Sequence, residues 1–246
     1  MAIHFFLCIV LVIVALNKVD CVLPYDVERG VVYDGGLHPE VMARSVVSKQ
    51  VFGSFTEDGF RKIKTPQEVQ KLLKEFLFEC CPNPAEKGCG VMEKDVSNVI
   101  NSYDREEDGS RSRMCFVSKE LQNQIGSVYL KIFQEWYEGD DELEISSVYG
   151  IRTYHSDATL QMHVDREKTH VISAILNVAQ DLDEDWPLLI TDFENTMHNV
   201  TLSAGDSVLY ESMTLTHGRP YTLRGRYYSN IFIHSVRDMS FSVSHS

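Results

Sequence analysis

The sequence predicts an α+β fold in which supporting helices in the N-terminal half precede a double-stranded β-helix, or jelly roll. Three observations predict it. Two segments before residue 140 repeat apolar residues every three or four positions, the spacing of an amphipathic helix. From Ile145 onward the texture changes to short β-branched and aromatic runs. Turn residues separate those runs, and helices followed by many short strands make a sandwich or barrel the economical architecture.

The chain has 246 residues, 43% hydrophobic and 24% charged, which fits one globular domain or a domain with an extension and is long enough for a sizeable core. Residues 1–21 read as a signal peptide. Ile3 to Leu16 is nearly all apolar, too short for a comfortable bilayer span, and is followed by Asn17-Lys18-Val19-Asp20-Cys21. A secretory route follows, to the endoplasmic reticulum lumen or outside the cell; if the segment is uncleaved, it is a membrane anchor instead. The formal charge of −13 argues against nucleic acid as a partner, because a phosphate backbone needs a basic surface.

Residues 22–140 are expected to form a mostly helical region and residues 141–246 the jelly roll. Residues 22–64 carry mixed signals, with only weak strands and a short helix. Thr65-Pro66-Gln67-Glu68 reads as a capping box, and Val69, Leu72, Leu73, Phe76 and Leu77 carry the helix on toward Cys80. Cys80, Cys81, Cys89 and Cys115 form an even set suited to disulfides in an oxidising compartment; their pairing is not fixed by spacing. Asn101 to Arg113 is a charged, solvated loop. Ser118 caps a second helix through Leu121, Ile125, Val128, Ile132 and Trp136, stopping at Gly139.

The strands are expected at Val148 to Tyr154, Leu160 to Asp165, Val171 to Val178, Leu188 to Phe193, Asn199 to Leu202, Ser207 to Glu211 and Arg226 to His234. Asn199-Val200-Thr201 is a glycosylation acceptor if exposed. No internal repeat or low-complexity tract interrupts them.

Chemistry concentrates in this second half. In Leu160-Gln161-Met162-His163-Val164-Asp165 the apolar residues take every second place, so His163 and Asp165 share the opposite strand face. A second histidine, His217, follows another strand-rich segment. Two His and one carboxylate form the facial triad of non-haem Fe(II) oxygenases, which leaves positions open for substrate and O₂. The other His-x-Asp, His155-Ser156-Asp157, lies in a polar stretch that reads as a turn. A 2-oxoacid cosubstrate with a second carboxylate needs a buried cation, and Arg219, Arg224 and Arg226 are the candidates. Arg226 begins a strand whose alternation sets Arg226, Tyr228, Asn230 and Phe232 on one face.

Val148 to Ser235 resembles the Fe(II)- and 2-oxoglutarate-dependent dioxygenases, specifically the prolyl 4-hydroxylase-like branch. Arg152-Thr153-Tyr154 followed by His163-Val164-Asp165 is similar to that family's first metal strand, with Tyr154 nine positions before the ligand. Gly205-Asp206-Ser207-Val208-Leu209 is similar to the Gly-Asp strand that enters the second ligand turn, and Ser229-Asn230-Ile231-Phe232-Ile233-His234 to the closing strand. The resemblance implies Fe(II) on His163, Asp165 and His217, and 2-oxoglutarate held by Tyr154 and by Arg226 in place of the family's Lys. It also implies O₂ as cosubstrate, ascorbate as a reductant and a protein or peptide substrate, with proline the favoured target. Alignment strictly from His217 puts Tyr227 opposite that Lys, which keeps Arg219 as the alternative cation. Asp185-Trp186-Pro187-Leu188 stands where the family usually has Gly-Gly-x-Thr, which implies a different peptide-facing loop. Trp186 and Arg219 are the residues expected around the docked substrate.

Two other classes fit the same ligands: a non-catalytic lectin- or cupin-like jelly roll that retains a metal, and a hydrolase with zinc in the triad.

Overall fold

The computed structural model describes residues 50, 53–86, 89–92, 112–165 and 170–237. The expected signal peptide, Cys8, Cys21 and most of the loop Asn101–Arg113 lie outside the described residues. Among the described residues, no helix is long and apolar enough to cross a membrane.

Helix α1 spans Gln67–Cys80 and α2 spans Lys119–Trp136, where the apolar spacing predicts helices. Ser118 caps α2 as expected, its side chain accepting from Leu121 N at 3.2 Å. The capping box of α1 does not form. Pro66 takes the N-cap position without a side-chain bond, and Thr65 Oγ1 lies 2.6 Å from Ser207 Oγ. That serine also bonds the buried Tyr129 hydroxyl at 2.7 Å, so Thr65 joins a buried hydroxyl chain rather than the helix end. Cys80 pairs with Cys115 and Cys81 with Cys89, which ties the end of α1 to the strands behind it.

The strands are β1 (Phe60–Lys64), β2 (Val91–Met92), β3 (Ser112–Cys115), β4 (Leu143–His155), β5 (Leu160–His163), β6 (Ile172–Leu182), β7 (Leu188–Thr191), β8 (Met197–Val200), β9 (Asp206–Tyr210), β10 (His217–Arg219) and β11 (Gly225–Arg237). They form a seven-stranded sheet in the order β1-β9-β6-β11-β4-β3-β2 and a four-stranded sheet in the order β5-β10-β7-β8. Adjacent strands in both sheets run antiparallel. The large sheet takes β1, β2 and β3 from before residue 140, so that part of the chain supplies strands as well as helices.

Side-chain alternation in the large sheet separates two apolar layers. Ile172, Ala174, Leu176 and Val178 of β6 pack with Val69, Leu73 and Leu77 of α1 and Ile125, Tyr129 and Phe133 of α2. Ile175, between them in sequence, packs on the other side with Leu188 and Ile190 of β7. A strand covered on both faces reads as a near-continuous apolar run, which is why β6 is mostly apolar from Ile172 to Ala179. Full burial of each large aliphatic side chain contributes about 1.5–3 kcal/mol, so the first layer holds the helices on the large sheet and the second holds the two sheets together. The polar residues near the metal candidates lie on the face of the large sheet turned toward the small one.

Candidate metal centre

Two short strands of the small sheet bring the histidines together. His217 of β10 stands directly opposite His163 of β5, and their ring centroids are 4.4 Å apart. Gly218 lets β10 lie this close, because a Cβ there would come within 2.7 Å of the Gln161 carbonyl oxygen. Asp165 follows β5 with its backbone N–H donating to Ser212 O at 2.8 Å, and its Oδ1 lies 3.6 Å from His163 Nε2. One ligand atom each from His163, Asp165 and His217 fits within 4.8 Å of the others.

The imidazoles are oriented for coordination. His163 Nδ1 is 2.7 Å from Gln161 O, and His217 Nδ1 is 2.9 Å from Leu215 O. A carbonyl oxygen only accepts, so each Nδ1 carries the proton and each Nε2 keeps its lone pair for a metal. Burial, helped by the neighbouring His163, pushes the His217 pKa down to about 4. Burial alone would raise the Asp165 carboxyl, but the imidazoles of His217, His234, His163 and His170 outweigh it and hold the pKa down to about 2. At neutral pH Asp165 is therefore a carboxylate beside the neutral imidazole of His217, a donor pair suited to a cation. Among the described residues the buried Asp165 Oδ2 has no hydrogen-bond donor, as suits a carboxylate that meets a metal.

Beside the triad lies an aromatic box. Tyr154 and Tyr228 are cross-strand partners on β4 and β11, and Trp186 meets both edge-on with centroids at 5.1 and 5.3 Å. Arg219, two residues beyond His217 and only 1% exposed, has its guanidinium 4.8 Å from the Trp186 ring centre and 4.5 Å from that of Tyr228. It donates to Trp186 O and, at 2.9 Å, to Tyr228 Oη. Both acceptors are neutral. A buried guanidinium on neutral partners is satisfied by an anion such as a carboxylate, so the box suits the far end of a dicarboxylate. Tyr210 closes the floor against His217 at 4.7 Å, and burial, with Asp165 adding to it, keeps its phenol neutral by raising its pKa well above the ordinary value.

Arg226, the expected cosubstrate cation, is not in this box. Its side chain is 70% exposed and pairs with Asp181 of β6. The alternation holds farther along β11, where Tyr228, Phe232 and His234 contact residues around the centre. Arg226 falls outside that pattern, at the register shift between Gly225 and Tyr227 in the pairing of β11 with β6. Trp186 and Arg219, expected around the substrate, are buried instead. Trp186 is only 2% exposed and donates from Nε1 to Tyr221 O at 2.6 Å, so neither side chain is a surface platform.

Sequence reasoning missed His170 and His234, whose rings lie 3.9 Å apart near Asp165. The alternation of β11, extended by one more step, would have found His234. Of His155-Ser156-Asp157, His155 ends β4 and Ser156-Asp157 form the turn, with Asp157 at φ 70 and its carboxylate 3.6 Å from Arg224 Nη1. Asn199 is exposed on β8, an edge strand of the small sheet.

No protein-family model and no curated protein sequence matches the chain. Solved structures do. A prolyl-4-hydroxylase from Pseudomonas putida is 17% identical, with 79% of this chain and 98% of that chain covered and a TM-score of 0.50. A 2OG-Fe(II) oxygenase family oxidoreductase from Burkholderia pseudomallei is 11% identical, covering 83% and 92% at a TM-score of 0.51. A Trichoplax adhaerens prolyl hydroxylase, solved with a hypoxia inducible factor oxygen degradation domain peptide, is 10% identical, covering 84% and 94% at a TM-score of 0.53. The chain thus has the jelly-roll fold of the prolyl-4-hydroxylase-like 2OG-Fe(II) oxygenases.

Proposed function

We propose that the protein is an Fe(II)- and 2-oxoglutarate-dependent dioxygenase that hydroxylates a peptidyl residue, proline the favoured target, in the secretory pathway. The observation that carries this reading is the convergence of His163, Asp165 and His217, with both Nδ1–H groups tied to backbone carbonyls beside a carboxylate oxygen that has no donor.

Bound Fe(II) would supply the O₂ chemistry that couples decarboxylation of 2-oxoglutarate, to succinate and CO₂, with insertion of one oxygen into the substrate. The residues around it have separable tasks. Arg219 and Tyr228 hold the far carboxylate of 2-oxoglutarate, and Tyr154 and Trp186 wall the box and exclude water. Arg152, buried on the same face, donates to Tyr154 Oη at 3.3 Å and fixes that ring.

A polypeptide substrate is supported by three of the four large apolar residues exposed among the described residues, Val91, Phe116 and Tyr149, which lie along the β2–β3–β4 end of the large sheet. Tyr149 also contacts His234 edge-on at 5.4 Å, which connects that end to the centre. The secretory location is supported by the apolar segment Ile3–Leu16, the paired cysteines and the exposed sequon at Asn199.

The test is succinate release by the purified protein with Fe(II), ascorbate and 2-oxoglutarate, followed by mass spectrometry of candidate proline-bearing peptides. The expected result is 2-oxoglutarate turnover that His163→Ala abolishes and a gain of one oxygen on a peptide. Turnover unchanged in His163→Ala would overturn the assignment.

A further inference from the structure

Strand β4 is bonded along one edge by β11, from Leu143 to His155. On its other edge β3 pairs only with Ile151 to Tyr154, and among the described residues no strand pairs with that edge from Leu143 to Gly150. The chain leaves the lane of β3 beyond Cys115 and enters α2, which runs back beside β4 until Gln134 Oε1 accepts from the Leu143 N–H at 3.0 Å. A groove of about 700 Å³ lies between helix and strand, in line with β3. Every residue from Glu144 to Gly150 lines it. Strand side chains alternate between faces, so an unbroken run means that the backbone edge itself forms this wall. The facing wall is α2, through Lys119, Asn123 and Ser127 among others.

We propose that this groove docks an extended segment of the polypeptide substrate as an added strand on β4, running antiparallel to it.

An open strand edge presents a row of backbone N–H and C=O groups that another extended chain can bond, and a helix beside it contacts alternate side chains of that chain. At about 3.3 Å per residue, Glu144 to Gly150 is roughly 20 Å long and seats about six or seven extended residues. Charge sets the direction. Lys119 opens α2 just beyond Phe116, at the Gly150 end, and Glu144 stands at the other end; both are exposed. A segment antiparallel to β4 enters at the Gly150 end, so an acidic residue near its start and a basic one near its end complement the groove. The same end is continuous with the candidate metal centre. The exposed Tyr149 meets His234 edge-on at 5.4 Å, and His234 Nδ1 is 3.9 Å from Asp165 Oδ2. The residue to be oxidised therefore lies on the N-terminal side of the docked segment. That assignment rests on the dioxygenase reading, whereas the docking does not.

The test is isothermal titration of the full chain, chelator-treated, with the end-blocked peptide Pro-Glu-Thr-Val-Thr-Val-Thr-Lys and with the same residues in reverse order. The first peptide is expected to bind, about threefold or more tighter than the second, and to slow hydrogen exchange at the N–H groups of Glu144 to Gly150. Ser127→Trp, whose indole fills the groove from an exposed position of α2, is expected to weaken binding about 10-fold or more with an unchanged circular dichroism spectrum. The double variant Lys119→Glu, Glu144→Lys is expected to invert the preference between the peptides. No binding of either peptide, or affinity unaltered in Ser127→Trp, would overturn the site. Protection of Glu144 to Gly150 that rises with protein concentration alone would give the edge to a second copy of the chain, and protection already complete without peptide would give it to another part of this one; either result overturns the proposal. Peptide binding without succinate release from the iron-loaded protein would keep the docking site and remove the dioxygenase reading.

Discussion

His163 and His217 are cross-strand partners in the antiparallel pairing of β5 with β10. Side chains directly opposite each other in such a pair have Cβ atoms about 4.5–5.5 Å apart, so the separation of the two nitrogen ligands is set by strand register rather than by loop conformation. A slip of one residue in either strand would turn its histidine to the other face of the sheet. Replacing His163 by alanine should weaken metal binding by more than the roughly 10–100-fold that loss of an outer partner costs, and should abolish 2-oxoglutarate-dependent succinate release. Isothermal titration with Mn(II), beside the succinate assay, measures both.

Gly218 is where that register is most exposed to mutation. A methyl group there would stand 2.7 Å from the Gln161 backbone oxygen, and backbone cannot swing aside as a flexible side chain can. Gly218→Ala should push β10 off β5 and lower metal affinity by about 10-fold or more while the helices and large sheet stay folded. Metal titration alongside far-ultraviolet circular dichroism separates the two effects; unaltered affinity would mean that the strands tolerate a wider spacing.

Arg219 and Arg226 divide cleanly by environment. Arg219→Ala should raise the KM for 2-oxoglutarate by roughly 30-fold or more, since removing one partner of a buried charged pair costs about 2–5 kcal/mol. Arg226→Ala removes only a solvent-exposed pair with Asp181, and should leave that KM within about twofold. Steady-state kinetics with varied 2-oxoglutarate tests both, and the reverse ranking would return the cosubstrate role to Arg226.

Asp206 clamps β1 to the sheet. Its side chain is buried and meets Lys64 Nζ at 2.5 Å, Lys62 Nζ at 2.9 Å and the Ser203 N–H at 2.9 Å. Burial alone would raise its pKa, but Lys64, Lys62 and the Ser203 N–H outweigh that and lower it to about 2. An Asp whose folded pKa lies below its unfolded value of about 3.9 stabilises the fold at higher pH, and that stability is lost as pH falls from about 4 to about 2. Asp206→Asn should therefore lower the melting temperature at pH 7 and flatten the acid limb between those values. Thermal melts from pH 2 to pH 7 provide the check.

Much of this was legible in the residues. The alternation of Leu160, Met162 and Val164 placed His163 and Asp165 on one face, and both helices formed where apolar spacing put them. What stayed hidden depended on distance along an element or between elements. Parity finds the face of β11 that carries Tyr228 and Phe232 but not the register shift at Arg226, which is why it favours Arg226 over the buried Arg219. The capping box at Thr65 was a sound local pattern, overridden by a hydroxyl of β9, 142 residues away in sequence. The approach of His170 to Asp165 and His234 arises only when β6 and β11 pair, and no local spacing announces it.

The order of strands in the large sheet has a consequence for biosynthesis. β11, the final element of the described chain, is the middle strand of that sheet and bonds β6 on one side and β4 on the other. The ribosome must therefore release residues up to about Arg237 before the two halves of the sheet have anything to join them. Contacts so distant in sequence make folding slow, and any truncation upstream of Gly225 removes the keystone rather than the trim.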